Sequence, residues 1–317
     1  RSWNYKGLNY NSLKSESGVA NGSANGSIYY QENEEWMIEN IFNYKMQIKN
    51  NNNLDFTGVI STNEQNYYNF RNSASRIPND ILGIYGLQAA LINVPTIGGY
   101  QRRIVSGAAR IQYDYSSKYY ATLTARADGS SVFGSDNKWG FFPAIALGWD
   151  IHKENFLSNF TSLSNLKLRT SYGSVGNEAI DPYGSLSLAN QLDYLFGAVR
   201  ISGYAPGSSL ANPGLKWETT TTFDIGVDFG FLNNRISGSF DFYDKRTKNL
   251  LVNRLLNSSI GYSSQPDNIG EIQNKGIEIQ VNGTAVQTKD FQLKLGVMFS
   301  KNTNNINKLY GDLNGDG

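Results

Sequence analysis

The chain has 317 residues, with 28 Lys plus Arg against 27 Asp plus Glu, one histidine and no cysteine. That balance gives no global field for nucleic acid, and it excludes disulfides, thiolate metal sites and multi-histidine metal centres. A mean hydropathy of −0.43 would suit a soluble protein, but transmembrane β-barrels share such values because only one face of each strand is apolar.

No apolar run approaches the roughly 18 residues that a membrane helix needs. Aromatic residues make up 13% of the chain, Tyr occurs 20 times and Gly 32 times, a mixture that fits an all-β protein with aromatic belts and tight turns. The opening Arg1-Ser2-Trp3-Asn4-Tyr5 shows no charged segment leading into an apolar core, so no signal peptide is visible. The chain is expected to be a piece of a longer protein.

Period-two alternation predicts about ten strands, over 36–48, 54–60, 105–115, 119–127, 139–151, 166–172, 215–231, 235–242, 277–285 and 291–299. The longest pattern puts Leu215, Trp217, Phe223, Ile225, Val227, Phe229 and Phe231 on one face, with Lys216, Glu218, Asp224 and Asp228 on the other. Globular strands run about five or six residues, so an apolar face of this length points to a bilayer. Only 150–158 suggests a short helical turn. Trp36, Trp139, Trp149, Trp217 and Phe231 fall toward strand ends on the apolar face, where amphipathic rings sit at headgroup level; capping of an ordinary core is the other reading.

The connections sort into two alternating classes. Short ones fall at 50–53, 116–117, 152–165, 232–234 and 286–290. Long ones fall at 69–99, 128–137, 176–214 and 249–270. Short turns on one side and long polar loops on the other describe a transmembrane antiparallel β-barrel. Ten strands do not close convincingly, and lipid tolerates no open edge, so the chain reads as an arc of a larger barrel.

The inward face of the predicted strands carries Arg110, Arg126, Lys167, Arg169, Glu218, Asp224, Asp228, Asp241, Glu278 and Lys294. As a set they describe a hydrated lumen that passes or binds a hydrophilic solute; for any one of them taken singly, a charge paired across strands is the preferred reading. Tyr183, Tyr194, Phe196, Tyr204 and Tyr262 fall in long loops, where rings stack on a sugar, pack on a partner or hold the loops together. Asp312, Asn314 and Asp316, followed by Gly317, fit the opening of a calcium loop, but with the distal Glu position beyond the chain and no preceding helix a plain polar loop is the preferred reading and a calcium site the alternative. No hydrolase elbow, P-loop or zinc-protease motif is present. Glu34 and Glu35 are adjacent and point to opposite faces of a strand, so no enzyme chemistry is expected.

One group of motifs goes further than pattern. Arg126-Ala-Asp-Gly-Ser-Ser-Val-Phe-Gly134 with Asn137-Lys-Trp-Gly-Phe-Phe-Pro143, then Leu166 to Asn177, Asn212-Pro-Gly-Leu-Lys-Trp-Glu-Thr219, and Asn268 to Glu278 resemble, in order, the SusC/RagA-type TonB-dependent outer-membrane transporters of Bacteroidetes-like bacteria. The resemblance implies a 22-strand barrel with an N-terminal plug, this chain being a C-terminal arc without plug, TonB box or terminal strand. It further implies import of an oligosaccharide or peptide, energised through TonB, with a SusD-like surface lipoprotein as lid. A passive porin or structural barrel is the alternative. The resemblance also implies a structural role for the Asp128-Gly-Ser-Ser motif as an extracellular hairpin.

Overall fold

The computed structural model describes residues 2–16, 19, 22–49, 51–197 and 199–309. Its strands are β1 (Ser2–Asn11), β2 (Ala24–Lys49), β3 (Asn52–Ile77), β4 (Ile92–Tyr115), β5 (Tyr119–Ser130), β6 (Trp139–Asp150), β7 (Leu163–Asn177), β8 (Ala189–Phe196), β9 (Val199–Pro206), β10 (Glu218–Phe231), β11 (Ile236–Lys248), β12 (Leu251–Leu255), β13 (Ser264–Asn268), β14 (Glu271–Gln287) and β15 (Gln292–Lys308). Eleven of them form one sheet in the order β1-β2-β3-β4-β5-β6-β7-β10-β11-β14-β15. The remaining four make two hairpins, β8–β9 and β12–β13, inserted in the two longest connections. Neighbours in the large sheet are neighbours in sequence once those hairpins are set aside. This is the all-β antiparallel meander that the alternation predicts.

Side chains alternate across the sheet as the pattern requires. Phe223, Ile225 and Val227 of β10 stand beside Asp244, Phe242 and Phe240 of β11, while Asp224, Gly226 and Asp228 stand beside Tyr243, Asp241 and Ser239. One face of this part of the sheet is therefore mainly apolar and the other polar. At the end of the apolar face near the short β4–β5 turn, Tyr115, Tyr119 and Trp149 form a stacked run with centroids 6.1 and 6.3 Å apart. The exposed Tyr115 and Tyr119, with the half-buried Trp149 beside them, match an interfacial belt. The predicted helical turn after β6 is two short 3₁₀ turns, Ile151–Lys153 and Asn155–Leu157.

The chain divides into two compact units, residues 1–38 with 62–104, and 39–61 with 105–317. In the first, Ala24, Ala74, Ile77 and Leu87 make a small core, and Asp80 accepts the Tyr10 hydroxyl at 2.6 Å and the Leu13 amide at 3.0 Å. In the second, the core is Val132, Phe133, Phe142, Leu215 and Trp217.

Three expectations change. The 69–99 loop is largely strand: β3 continues to Ile77 and β4 begins at Ile92. A bilayer needs only about 9–11 residues of each strand, whereas β3 has 26 and β4 has 24. Both faces of the extra length are polar, Glu64 pairing with Gln101 and Arg103 on one and Asn69 and Arg71 lying on the other, so no apolar period marks it. β1 likewise escapes the alternation test. The third change concerns the longest predicted strand. It starts at Glu218 rather than Leu215, and Leu215 and Trp217 are buried at 0% and 8% exposure. Trp217 is thus a core residue and not part of a belt. Trp36 and Trp139 remain exposed.

Candidate functional site

The polar face of β7, β10, β11 and β14 carries one continuous cross-strand row. Arg169 stands opposite Gly226, Gly226 opposite Asp241, and Asp241 opposite Glu278. A Cβ on Gly226 would lie 2.8 Å from Arg169 Cζ and 2.3 Å from an Asp241 carboxylate oxygen. The missing side chain lets the guanidinium cross β10 and hydrogen-bond Asp241 on the far strand. Arg169 also meets Asp228 at 3.2 Å and Asp224 at 3.5 Å. One cation thus ties three carboxylates across three strands, leaving the cluster net negative, with Glu278 adding to it by register. Such fork geometry favours arginine over lysine.

The other predicted lumen residues are dispersed. Lys167 lies over the Tyr120 ring with its Nζ 4.6 Å from the centroid. Arg126 pairs with Asp128 at 2.7 Å and donates to Ser106 Oγ at 3.2 Å. Arg110 is exposed on β4. Glu218 is used differently, as a loop anchor: it accepts Asn177 Nδ2 at 3.0 Å and the Leu251 amide at 3.1 Å.

That anchor belongs to a clamp binding three long connections together. The Trp217 ring packs between Phe133, at 5.0 Å between centroids, and Phe142, edge-on at 5.6 Å. Its Nε1 donates to the Lys138 carbonyl at 2.9 Å. Gly140 and Gly176 make room for the Phe142 ring, since a Cβ on either would lie 2.4 or 2.1 Å from Cζ. Asn137 donates to the Gly214 carbonyl at 3.2 Å. Asn268 accepts the Lys216 amide at 2.8 Å and donates back to its carbonyl at 2.7 Å, while Asn212 donates to the Pro266 carbonyl at 2.9 Å. The separate sequence motifs therefore meet at one point. Their asparagines and glycines are the parts that the alternation test passes over, because they act through backbone groups.

The loop aromatics occupy several settings. Tyr194 and Phe196 lie on β8 and Tyr204 on β9, all exposed. Tyr194 stands beside Ile201 and Phe196 beside Val199, on one face with Leu192, and Tyr204 lies on the other face beside Gln191. Tyr183 is an exposed turn residue with φ 64°, and Tyr262 is half-buried between β12 and β13. Asp312, Asn314 and Asp316 lie outside the described residues. Among the described residues no group of three or more His, Cys, Asp or Glu side chains is placed to hold a metal ion.

Residues 1–317 match the protein family described as TonB dependent receptor-like, beta-barrel. TonB-dependent receptor SusC of Bacteroides thetaiotaomicron is 41% identical over 214 residues, 66% of this chain and 21% of that protein. TonB-dependent receptor P26 of Formosa agariphila is 35% identical over 289 residues, 90% of this chain and 29% of that protein. Among solved structures, that of the RagAB peptide transporter matches 99% of this chain and 34% of the matched chain, with a TM-score of 0.87 and 25% identity. The chain spans less than a third of the length of these two relatives.

Proposed function

The chain belongs to the TonB-dependent receptor β-barrel family, in its SusC/RagA branch, and from that premise we propose that it forms part of the wall of an energised outer-membrane importer. The cargo on this reading is an oligosaccharide or a peptide. A plug segment elsewhere in the full protein couples to TonB, and a SusD-like lipoprotein covers the mouth of a 22-strand barrel. The family is one of outer-membrane transporters rather than enzymes, and both faces of the sheet suit that setting.

One observation carries the reading: a polar face with a net-negative, cross-strand charge row backs an apolar face with aromatic ends. A hydrated lumen behind a lipid-facing wall requires that division. The rigid clamp at the bases of the long connections supports it further, because a loop that grips cargo or a lid has to be held from below. Tyr194, Phe196 and Tyr204 are the proposed loop contacts, and the Arg169 row is the proposed lumen lining.

The test is uptake by cells carrying the full-length gene, using labelled oligosaccharides and peptides with and without a protonophore. Uptake abolished by the protonophore or by loss of TonB supports the importer. Uptake that persists unchanged, with ion conductance from the purified protein, would instead make it a passive porin. Co-purification of a surface lipoprotein with the tagged protein tests the lid.

A further inference from the structure

The polar face of β1 to β4 contains a groove built from residues other than those of the charge row. Ser27, Tyr29 and Gln31 alternate along β2, opposite Asn9, Gly7 and Tyr5 of β1. Arg71 of β3 reaches Ser27 Oγ at 3.5 Å, which places Arg71 and its alternate neighbour Asn69 on the same face. Two cavities, of about 530 and 270 Å³, both have Asn9, Ser27 and Arg71 in their walls, and Tyr29, Gln31 and Asn69 complete the larger. The result is an elongated trough with one cation at its middle.

Arg71 differs from Arg169 and Arg126 on the polar face. Arg169 and Arg126 are neutralised by aspartates, whereas Arg71 has no carboxylate within ion-pair reach among the described residues. Around it stand Asn9, Gln31 and Asn69, whose carboxamides each offer a donor and an acceptor, as a hydroxyl-bearing ligand requires. Two glycines shape the space. A Cβ on Gly7 would lie 1.9 Å from the Tyr29 ring, and one on Gly98 would lie 2.6 Å from Asn69 Oδ1. The Tyr29 ring lies over the first glycine, and the second leaves Asn69 its place. Peptides are commonly held by main-chain pairing along a free strand edge, but β2 and β3, which form the floor, are hydrogen-bonded on both sides.

We infer that this trough is a binding subsite for an acidic oligosaccharide. Arg71 meets the ligand's anionic group, a carboxylate or a sulfate ester, as a charge-assisted pair. Asn9, Gln31 and Asn69 meet its hydroxyls, and the Tyr29 ring meets the C–H face of a sugar. The inference rests on the importer reading only in treating this ligand as cargo, since binding is measurable without transport.

The experiment is calorimetry on the purified full-length protein in detergent, with trigalacturonate, a sulfated galactotriose, neutral maltotriose and triglutamate as probes. At least one acidic sugar is expected to bind roughly tenfold or more tighter than maltotriose, as a charged hydrogen bond would give. Which acidic sugar binds identifies the anionic group. Arg71→Gln should abolish the preference and Arg71→Lys should retain part of it. Absence of binding by both acidic sugars, equal binding of maltotriose, tighter binding of triglutamate, or an unaffected Arg71→Gln variant would each overturn the inference. Should Arg71→Gln misfold, the wild-type affinity must still weaken as salt is raised, and a salt-independent affinity overturns it as well. Binding without energised uptake would remove the importer reading and leave the subsite standing; uptake without such binding would do the reverse.

Discussion

The Trp217 indole N–H donates to the main-chain carbonyl of Lys138, 2.9 Å away and 79 residues earlier in the chain. This contact joins the β5–β6 connection to the start of β10, and Phe133 and Phe142 pack on the same ring. Trp217→Ala should cost about 3–5 kcal/mol, as loss of a buried aromatic does, read from urea unfolding in lipid vesicles. Trp217→Phe keeps most of the packing and loses the hydrogen bond, a smaller loss of about 1 kcal/mol. Hydrogen exchange should rise at 130–138 and 212–217 in both variants. Exchange unchanged at 130–138 in Trp217→Ala would show that the ring does not hold that connection.

Arg169 serves three carboxylates at once, so its loss should exceed that of any single aspartate. The groups are about one-third exposed or less, and solvent screening lowers each pair below its bare Coulomb value. Arg169→Gln, Asp228→Asn and the double variant should give a coupling energy of roughly 0.5–1 kcal/mol in thermal unfolding. Strict additivity would show that the pair stabilises nothing.

Gly226→Leu tests the same row through its geometry. The new Cβ would fall 2.3 Å from Asp241 and 2.8 Å from Arg169 Cζ, so the guanidinium must leave its place. The expected stability loss is at least that of Arg169→Gln, with strain of about 1–3 kcal/mol added, measured by the same unfolding assay. A neutral outcome would mean that the bridge across β10 is dispensable.

The division between legible and hidden features follows from what a period-two pattern detects. β10 and β11 were readable because Phe223, Ile225 and Val227 alternate with Asp224 and Asp228, lipid and water selecting opposite faces. The upper part of β3 was hidden because Glu64 and Arg71 lie on opposite faces that are both polar. Trp217 kept the parity of the apolar face in sequence but left it in space, since the strand begins one residue later and the preceding segment folds onto Phe142. The Arg169 row combines both cases. Its charges were visible, whereas their convergence depends on inter-strand register, which a single strand does not encode. The carboxamides around Arg71 lay in strands whose polar residues repeat on both faces and so gave no signal.

Glu154, in the turn after β6, accepts hydrogen bonds from Tyr119 Oη, Trp149 Nε1 at 3.1 Å and Lys118 Nζ at 3.2 Å. Those donors, the Tyr119 hydroxyl foremost, hold its carboxyl below the ordinary glutamate range. The folded value is depressed, so the stabilisation is present in full above the ordinary value of about 4.3 and is lost as pH falls through the folded value. Hydrogen exchange at 151–157, corrected for intrinsic rates, should therefore accelerate on acidification below that range. Glu154→Gln should remove this pH dependence at the turn. Equal acceleration in the variant would assign the effect to another group.

Tyr194 and Phe196 stand beside Ile201 and Val199 on the β8–β9 hairpin, and all four are exposed. Nothing they cover within the described chain explains such an apolar surface, and surface substitutions away from packing usually change stability by no more than about 0.5 kcal/mol. Tyr194→Ser with Phe196→Ser should therefore leave unfolding of the barrel unchanged. If the hairpin meets a lid lipoprotein or the cargo, as the proposed function requires, the same variant should reduce lipoprotein co-purification or energised uptake. Both readouts at wild-type level, with stability intact, would remove this hairpin from the functional surface and leave the loops around Tyr183 and Tyr262 as the contact.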